Sequence, residues 1–290
     1  MEKIVPVASR RIVLAFCLAP VAGALAPAWA DDKLAEIRKR GYLIAGVRIE
    51  SSRFGALDIK TNEVKGFDVD IINALSRIIL GNDAPVKLVP VNSENRITQL
   101  NTDRVDVLAA TLSISQQRLR EIAYSNVYLR VGQSILVRKN SAITNYKELA
   151  KHKVCATTGS TPAQTIRKLV PDAEVLTFPT DPQGLMALQQ RRCEAYTTGY
   201  LLLKDMEEAD PNTRIVGEPF TFEAWGIGVK LGNDSLVNAL NEALARIKAN
   251  GEYAALYRKW IDKTLPDNLD SWYGMPAVEA ARRFAESTGS

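Results

Sequence analysis

The chain has 290 residues, with 37 Lys and Arg against 33 Asp and Glu and a net charge of +4. That balance, without a clustered basic excess, excludes a nucleic-acid-binding face. One histidine, His152, with no C-x-x-C pair and no G-x-x-x-x-G-K-[ST] loop, argues against a metal, a nucleotide cofactor and a His-dependent nucleophile.

Lys3, Arg10 and Arg11 form a basic start, residues 12–25 are uncharged and apolar, and Ala28-Trp29-Ala30 is an A-x-A cleavage site. The pattern predicts that residues 1–30 are a cleaved export signal, too short for the roughly 20 residues of a membrane span. Cys17 follows Phe16, where a lipid-attachment site requires a small residue, so no lipid anchor is expected. Removing residues 1–30 leaves 34 basic and 32 acidic residues and two cysteines, Cys155 and Cys193, in an oxidising compartment where pairing is possible.

Residues 34–40 read as a short helix, and 42–47 as an almost wholly apolar strand suited to burial on both faces of a parallel sheet. Gly66-Phe67 opens a helix with Val69, Ile71, Ile72, Leu75, Ile78 and Ile79 at helical spacing. A strand at 86–91, a helix at 94–102 and a strand at 105–110 complete a βαβαβ unit. A second cycle starts after Gln133, with strands at 153–156, 174–178 and 193–198 alternating with helices at 162–170 and 182–191. Two such units predict two lobes. Helices over 234–261, broken at Asn250-Gly251, and a further helix over 276–286 close the chain.

In open α/β sheets ligands sit beyond the carboxyl ends of the strands. Arg48, Arg96 and the segment Thr111-Leu112-Ser113 are expected at that rim, with Ser115 capping a helix that carries Arg118 in its first turn. Guanidinium groups beside helix starts form a carboxylate receptor. In the second unit Gly159-Ser160-Thr161-Pro162 is a helix start, Thr161 capping and Pro162 in the first turn. Asp68 and Asp70, two apart, do not share a helix face and are assigned to complementing a helix N-terminus.

With these residues assembled, the chain resembles the periplasmic solute-binding proteins of amino-acid ABC transporters, extracellular family 3, in its glutamate/aspartate-binding branch. Gly66-Phe67-Asp68-Val69-Asp70-Ile71, Ser93-Glu94-Asn95-Arg96-Ile97, Thr111 to Arg118, Tyr124-Ser125-Asn126-Val127-Tyr128, Gly159-Ser160-Thr161 and Glu223-Ala224-Trp225-Gly226-Ile227 follow the family's motifs in order. The resemblance implies a type II, Venus-flytrap α/β fold. Its two lobes, each a mainly parallel sheet flanked by helices, would be joined by two hinge crossings. Lobe 1 would comprise 31–131 and 223–290, lobe 2 residues 132–222. It further implies a monomeric periplasmic receptor, without cofactor or catalytic activity, that delivers an acidic amino acid to an inner-membrane ABC permease.

By the same resemblance Arg118 clamps the α-carboxylate with Ser113 and Thr161, and Ser160 is a further ligand-binding residue. Arg48, Ser93 and Arg96 read a side-chain carboxylate, Thr111 accepts from the ammonium, and Phe54 either walls the cleft or packs in the core. The family usually carries an aspartate after the last lobe 2 strand to pair the ammonium; here Gly199 stands there. A buried ammonium without a counter-charge is costly, so either Asp181 supplies it or the ligand is a dicarboxylate or other organic anion. A dehydratase-like enzyme on the same scaffold is a further alternative. The strands bearing Cys155 and Cys193 are expected to be neighbours, which leaves a disulfide and two buried thiols both open.

Overall fold

The computed structural model describes residues 1–2, 32–81 and 84–289. The export-signal reading of 1–30, with Cys17 and the cleavage site, otherwise lies outside the described residues. Among those described, no helix is long and apolar enough to cross a membrane.

Two five-stranded sheets are built to one plan. In the first, Val86–Pro90, Leu43–Val47 and Val107–Ala109 lie side by side and parallel, followed by Gly228–Val229 and Ala123–Tyr124. Gly228–Val229 is antiparallel to both its neighbours. In the second, Glu174–Phe178, Lys153–Thr157 and Ala195–Gly199 are parallel, and Gln133–Arg138 runs antiparallel between Ala195–Gly199 and Thr213–Val216. The parallel strands all end at the edge where the lobes meet. A chain that crosses from the other lobe therefore enters at that edge and must run the opposite way. Gln133–Arg138 and Gly228–Val229 are the strands made on arrival, which is why each sheet is mixed rather than wholly parallel. The crossings themselves pair as a short antiparallel ribbon, Leu129 beside Trp225 and Arg130 beside Ala224.

The helices form where apolar spacing requires. Phe67–Leu80 buries Phe67, Val69, Ile71, Ile72 and Leu75, and Asp234–Ala249 buries Leu236, Leu240, Leu244 and Ile247, the stripe its sequence presents. Gly251, at φ 81°, breaks the chain before Glu252–Trp260. Ala277–Ser287 places Ala280 and Ala281 in the core of the first lobe. Elements absent from the periodicity reading include the short hairpin strands Gly55–Asp58 and Glu63–Lys65, the strands Gln133–Arg138 and Thr213–Val216 and the helix Tyr200–Ala209. Cys155 and Cys193 are joined by a disulfide with Cα atoms 5.9 Å apart.

Candidate functional site

Six strand ends converge on one buried cavity. Arg48 directly follows Leu43–Val47; Ser93 and Arg96 follow Val86–Pro90; Thr111 and Ser113 follow Val107–Ala109. From the second sheet, Ser160 and Thr161 follow Lys153–Thr157, Asp181 follows Glu174–Phe178, and Gly199 ends Ala195–Gly199. All nine line the cavity, together with Thr157, Thr198, Leu202, Glu223 and Trp225 among residues not anticipated. The free space between them is about 20 Å³, room for one ordered water. A ligand larger than a water molecule therefore fits only when the lobes part. A larger space of about 170 Å³, open to solvent, shares Asp181 and Leu202 with it and continues past Glu50 and Pro182 to Met206.

Local hydrogen bonding fixes the first-lobe wall. Asn92 Oδ1 accepts from the backbone N–H groups of Glu94 and Asn95, a turn that starts the helix Arg96–Asn101. Arg96 is 2% exposed and donates through Nη1 to the carbonyls of Ala110 and Thr111, at 2.6 and 3.2 Å. Its Nε is buried without a partner. Burial, then the nearby Arg118 and Arg48 charges, push its pKa well below the ordinary arginine value. Thr111 stands at φ 49°, the left-handed region that a β-branched residue avoids. It is held there by its N–H donating to Asp68 Oδ2 at 2.7 Å while Arg96 grips its carbonyl.

Arg48 is already matched. Its Nη2 meets Glu50 Oε1 at 2.6 Å and, across the cleft, Asp181 Oδ2 at 2.8 Å, and its Nη1 reaches Thr111 Oγ1 at 3.3 Å. Burial alone would lower its pKa, but Asp181 and Glu50 hold it above the usual range. Asp181 is likewise occupied, its other oxygen accepting from the hydroxyls of Thr157 and Tyr196. Burial opposes its ionisation, yet Arg48 and those hydroxyls keep its pKa below the ordinary aspartate value.

Ser115 caps the helix Gln116–Leu119 as expected. Arg118 donates to the carbonyls of Ser113 and, from the other lobe, Gly159, both at 3.0 Å. It touches the cavity wall without lining it. Ser113 Oγ meets Thr161 Oγ1 across the cleft at 3.0 Å. Gly159 is required where it stands: at φ 73°, a Cβ there would lie 2.8 Å from the Ser93 carbonyl oxygen.

Three expectations are corrected. The cap of helix Thr161–Leu169 is Ser160, one residue earlier than Thr161, because Ser160 has the extended backbone from which its Oγ accepts the Ala163 N–H. Asp68 does not serve its own helix end; its carboxylate turns to Thr111 and to the Tyr128 hydroxyl at 2.8 Å, while Asp70 pairs with Lys259 and Trp260. Phe54 is fully buried in the core, edge-on to Phe67 and Trp225, because the hairpin folds its ring away from the cavity.

Glu223 was legible only as part of a motif. It is 2% exposed and lines the cavity. Its Oε1 accepts from Ser113 Oγ at 2.6 Å and Trp225 Nε1 at 3.2 Å, and its Oε2 from Gln133 Nε2. No spacing rule could have found it, since it enters from the second crossing, some 110 residues after Ser113.

The profile of the bacterial extracellular solute-binding proteins, family 3, matches residues 43–263. The ABC transporter glutamine-binding protein GlnH of Bacillus subtilis is 36% identical over 231 residues, covering 79% of this chain and 85% of that one. A glutamine-binding protein of Geobacillus stearothermophilus is 40% identical over 198 residues, 68% of this chain and 76% of that one. Among solved structures, a solute receptor for L-cysteine of Neisseria gonorrhoeae superposes with a TM-score of 0.76 at 26% identity, covering 81% of this chain and 97% of that one.

Proposed function

The chain belongs to the bacterial extracellular solute-binding proteins, family 3, and we propose that it captures a free L-α-amino acid between its lobes for an ABC permease. Residues 1–30 are then its cleaved export signal, the periplasm its compartment, and 31–131 with 223–290 and 132–222 its lobes. The observation that carries this is Arg96, a guanidinium buried at the cavity wall whose only protein partners are two carbonyls. A buried cation without a counter-ion is costly. A ligand carboxylate, with Ser93 beside it, relieves that cost.

The side chain read best is neutral and polar, as in glutamine, the ligand named for the two curated relatives. Arg48 already faces Glu50 and Asp181, so a second ligand carboxylate placed there would meet a guanidinium whose charge is spent. An acidic amino acid is the second reading, favoured by Arg118, which donates to the carbonyls of Ser113 and Gly159 and forms no salt bridge among the described residues. A dicarboxylate lacking the amino group is the third. Because Ser113 and Thr161 touch across the cleft, the ligand would insert between contacts that now join the lobes, and closure around it follows from tighter binding to the closed state.

Titration calorimetry with L-glutamine, L-glutamate, L-aspartate and glutarate tests this. Binding of an amino acid at micromolar affinity or tighter is expected, and Arg96→Met should weaken it by about 100-fold or more. Glutarate binding while every amino acid fails would replace the amino-acid reading with the dicarboxylate one, and glutamate bound more tightly than glutamine would restore the acidic preference.

A further inference from the structure

We infer that Glu223 is the carboxylate that receives the ligand's ammonium group, an inference that rests on the amino-acid reading above. Two buried ionisable side chains line the same cavity and form no salt bridge with each other, although Glu223 is near enough for its charge to be felt at Arg96. Arg96 meets no carboxylate, and Glu223 meets no cation: its oxygens accept only from the neutral donors Ser113, Trp225 and Gln133. An ionised carboxylate buried among neutral groups is as costly as the unmatched guanidinium. A zwitterion lying between the two satisfies both at once, whereas a dicarboxylate satisfies Arg96 and repels Glu223.

The other buried carboxylate of the wall, Asp181, is committed to Arg48 at 2.8 Å and to two hydroxyls. Its use for the ammonium would strip Arg48 of a partner. Glu223 carries no such commitment. Its corner also has a further acceptor. Gly199 is the strand partner of Gln133 and is closely packed, since a Cβ there would lie 2.9 Å from Val131 and 3.5 Å from Trp225, so this corner holds no aspartate side chain. Gln133, while donating to Glu223, leaves its own Oε1 buried with nothing bonded to it. The aspartate that Gly199 replaces is thus answered by a carboxylate arriving in the same corner from the second crossing.

Calorimetry compares wild type, Glu223→Gln and Glu223→Asp with L-glutamine and 4-carbamoylbutanoate, its counterpart without the amino group, and in parallel with L-glutamate and glutarate. The Gln variant should lose about 100-fold or more in affinity for the amino acid, keep the des-amino compound within about 3-fold, and the Asp variant, which retains the charge, should stay within about 10-fold of wild type. Amino-acid binding by Glu223→Gln within about 3-fold of wild type, or equal losses in the Gln and Asp variants, would overturn the assignment. Should wild type bind glutarate but neither amino acid, the amino-acid reading itself falls, an outcome distinct from both. A wild-type melting profile for at least one variant confirms that charge, not folding, has been read.

Discussion

Asp68 ties the start of the helix Phe67–Leu80 to the rim of the site, accepting from Thr111 N–H and from the Tyr128 hydroxyl. Complete burial raises its pKa from 3.8 to about 6, although the Thr111 N–H, the Tyr128 hydroxyl and the charges of Arg48 and Arg96 pull the other way. A folded pKa above the unfolded value means that the carboxyl's contribution to stability is fully present below pH 3.8 and is lost as pH rises through about 6. The stability of wild type relative to Asp68→Asn should therefore fall by roughly 2–3 kcal/mol between pH 4 and pH 7. Urea unfolding of both proteins at unit steps of pH measures this, and a difference independent of pH would contradict the raised pKa. The sequence showed that Asp68 and Asp70 could not share a face; which neighbour each one meets was not in that spacing, because Thr111 and Lys259 arrive from distant segments.

At the level of elements, the second lobe is held by two buried apolar clusters and by the disulfide, whose sulfurs lie in one of them. It links the strand Lys153–Thr157 to the turn before Ala195–Gly199 and closes a loop of 38 residues. A loop of that length is worth about 3–4 kcal/mol through the entropy it removes from the unfolded chain. Cys155→Ala/Cys193→Ala should lower the unfolding free energy by about that amount in denaturant melts, with ligand affinity changed less than about 3-fold since neither residue lines the cavity. An unchanged midpoint would mean that the bridge does not form in the exported protein. That the two cysteines lie close together followed from the strand order expected of the fold, although Cys193 sits in the turn before its strand rather than on it. The cap of the adjacent helix did not: Ser160 and Thr161 are equally good caps in sequence, and only the extended backbone at Ser160 decides between them.

Across the whole molecule, the lobes are joined outside the cavity as well. Arg53, from the hairpin of the first lobe, pairs with Asp205 of the helix Tyr200–Ala209 at 2.7 Å and also donates to the carbonyls of Trp260 and Ile261 at 2.9 Å. Ser52 adds a bond of 2.9 Å to the same Asp205. The two contacts to Asp205 exist only when the lobes are together, so they favour closure whatever the ligand is, while the bonds to Trp260 and Ile261 hold Arg53 in place within its own lobe. Asp205→Ala should weaken L-glutamine and L-glutamate alike by about 5–20-fold, the value of one or two kcal/mol. It should also enlarge the radius of gyration in small-angle scattering. Loss for one amino acid alone would mean that Asp205 reads the ligand instead. The sequence by itself determined the two α/β units, the parallel strands and the three arginines at strand ends, because these follow from periodicity and local turn chemistry. Only the tertiary structure decided that Arg48 is matched by Asp181, that Arg96 forms no ion pair among the described residues, and that Glu223 lines the same cavity. Those relations join residues from two lobes and a crossing, and charge pairing at that range depends on distances that no local pattern encodes.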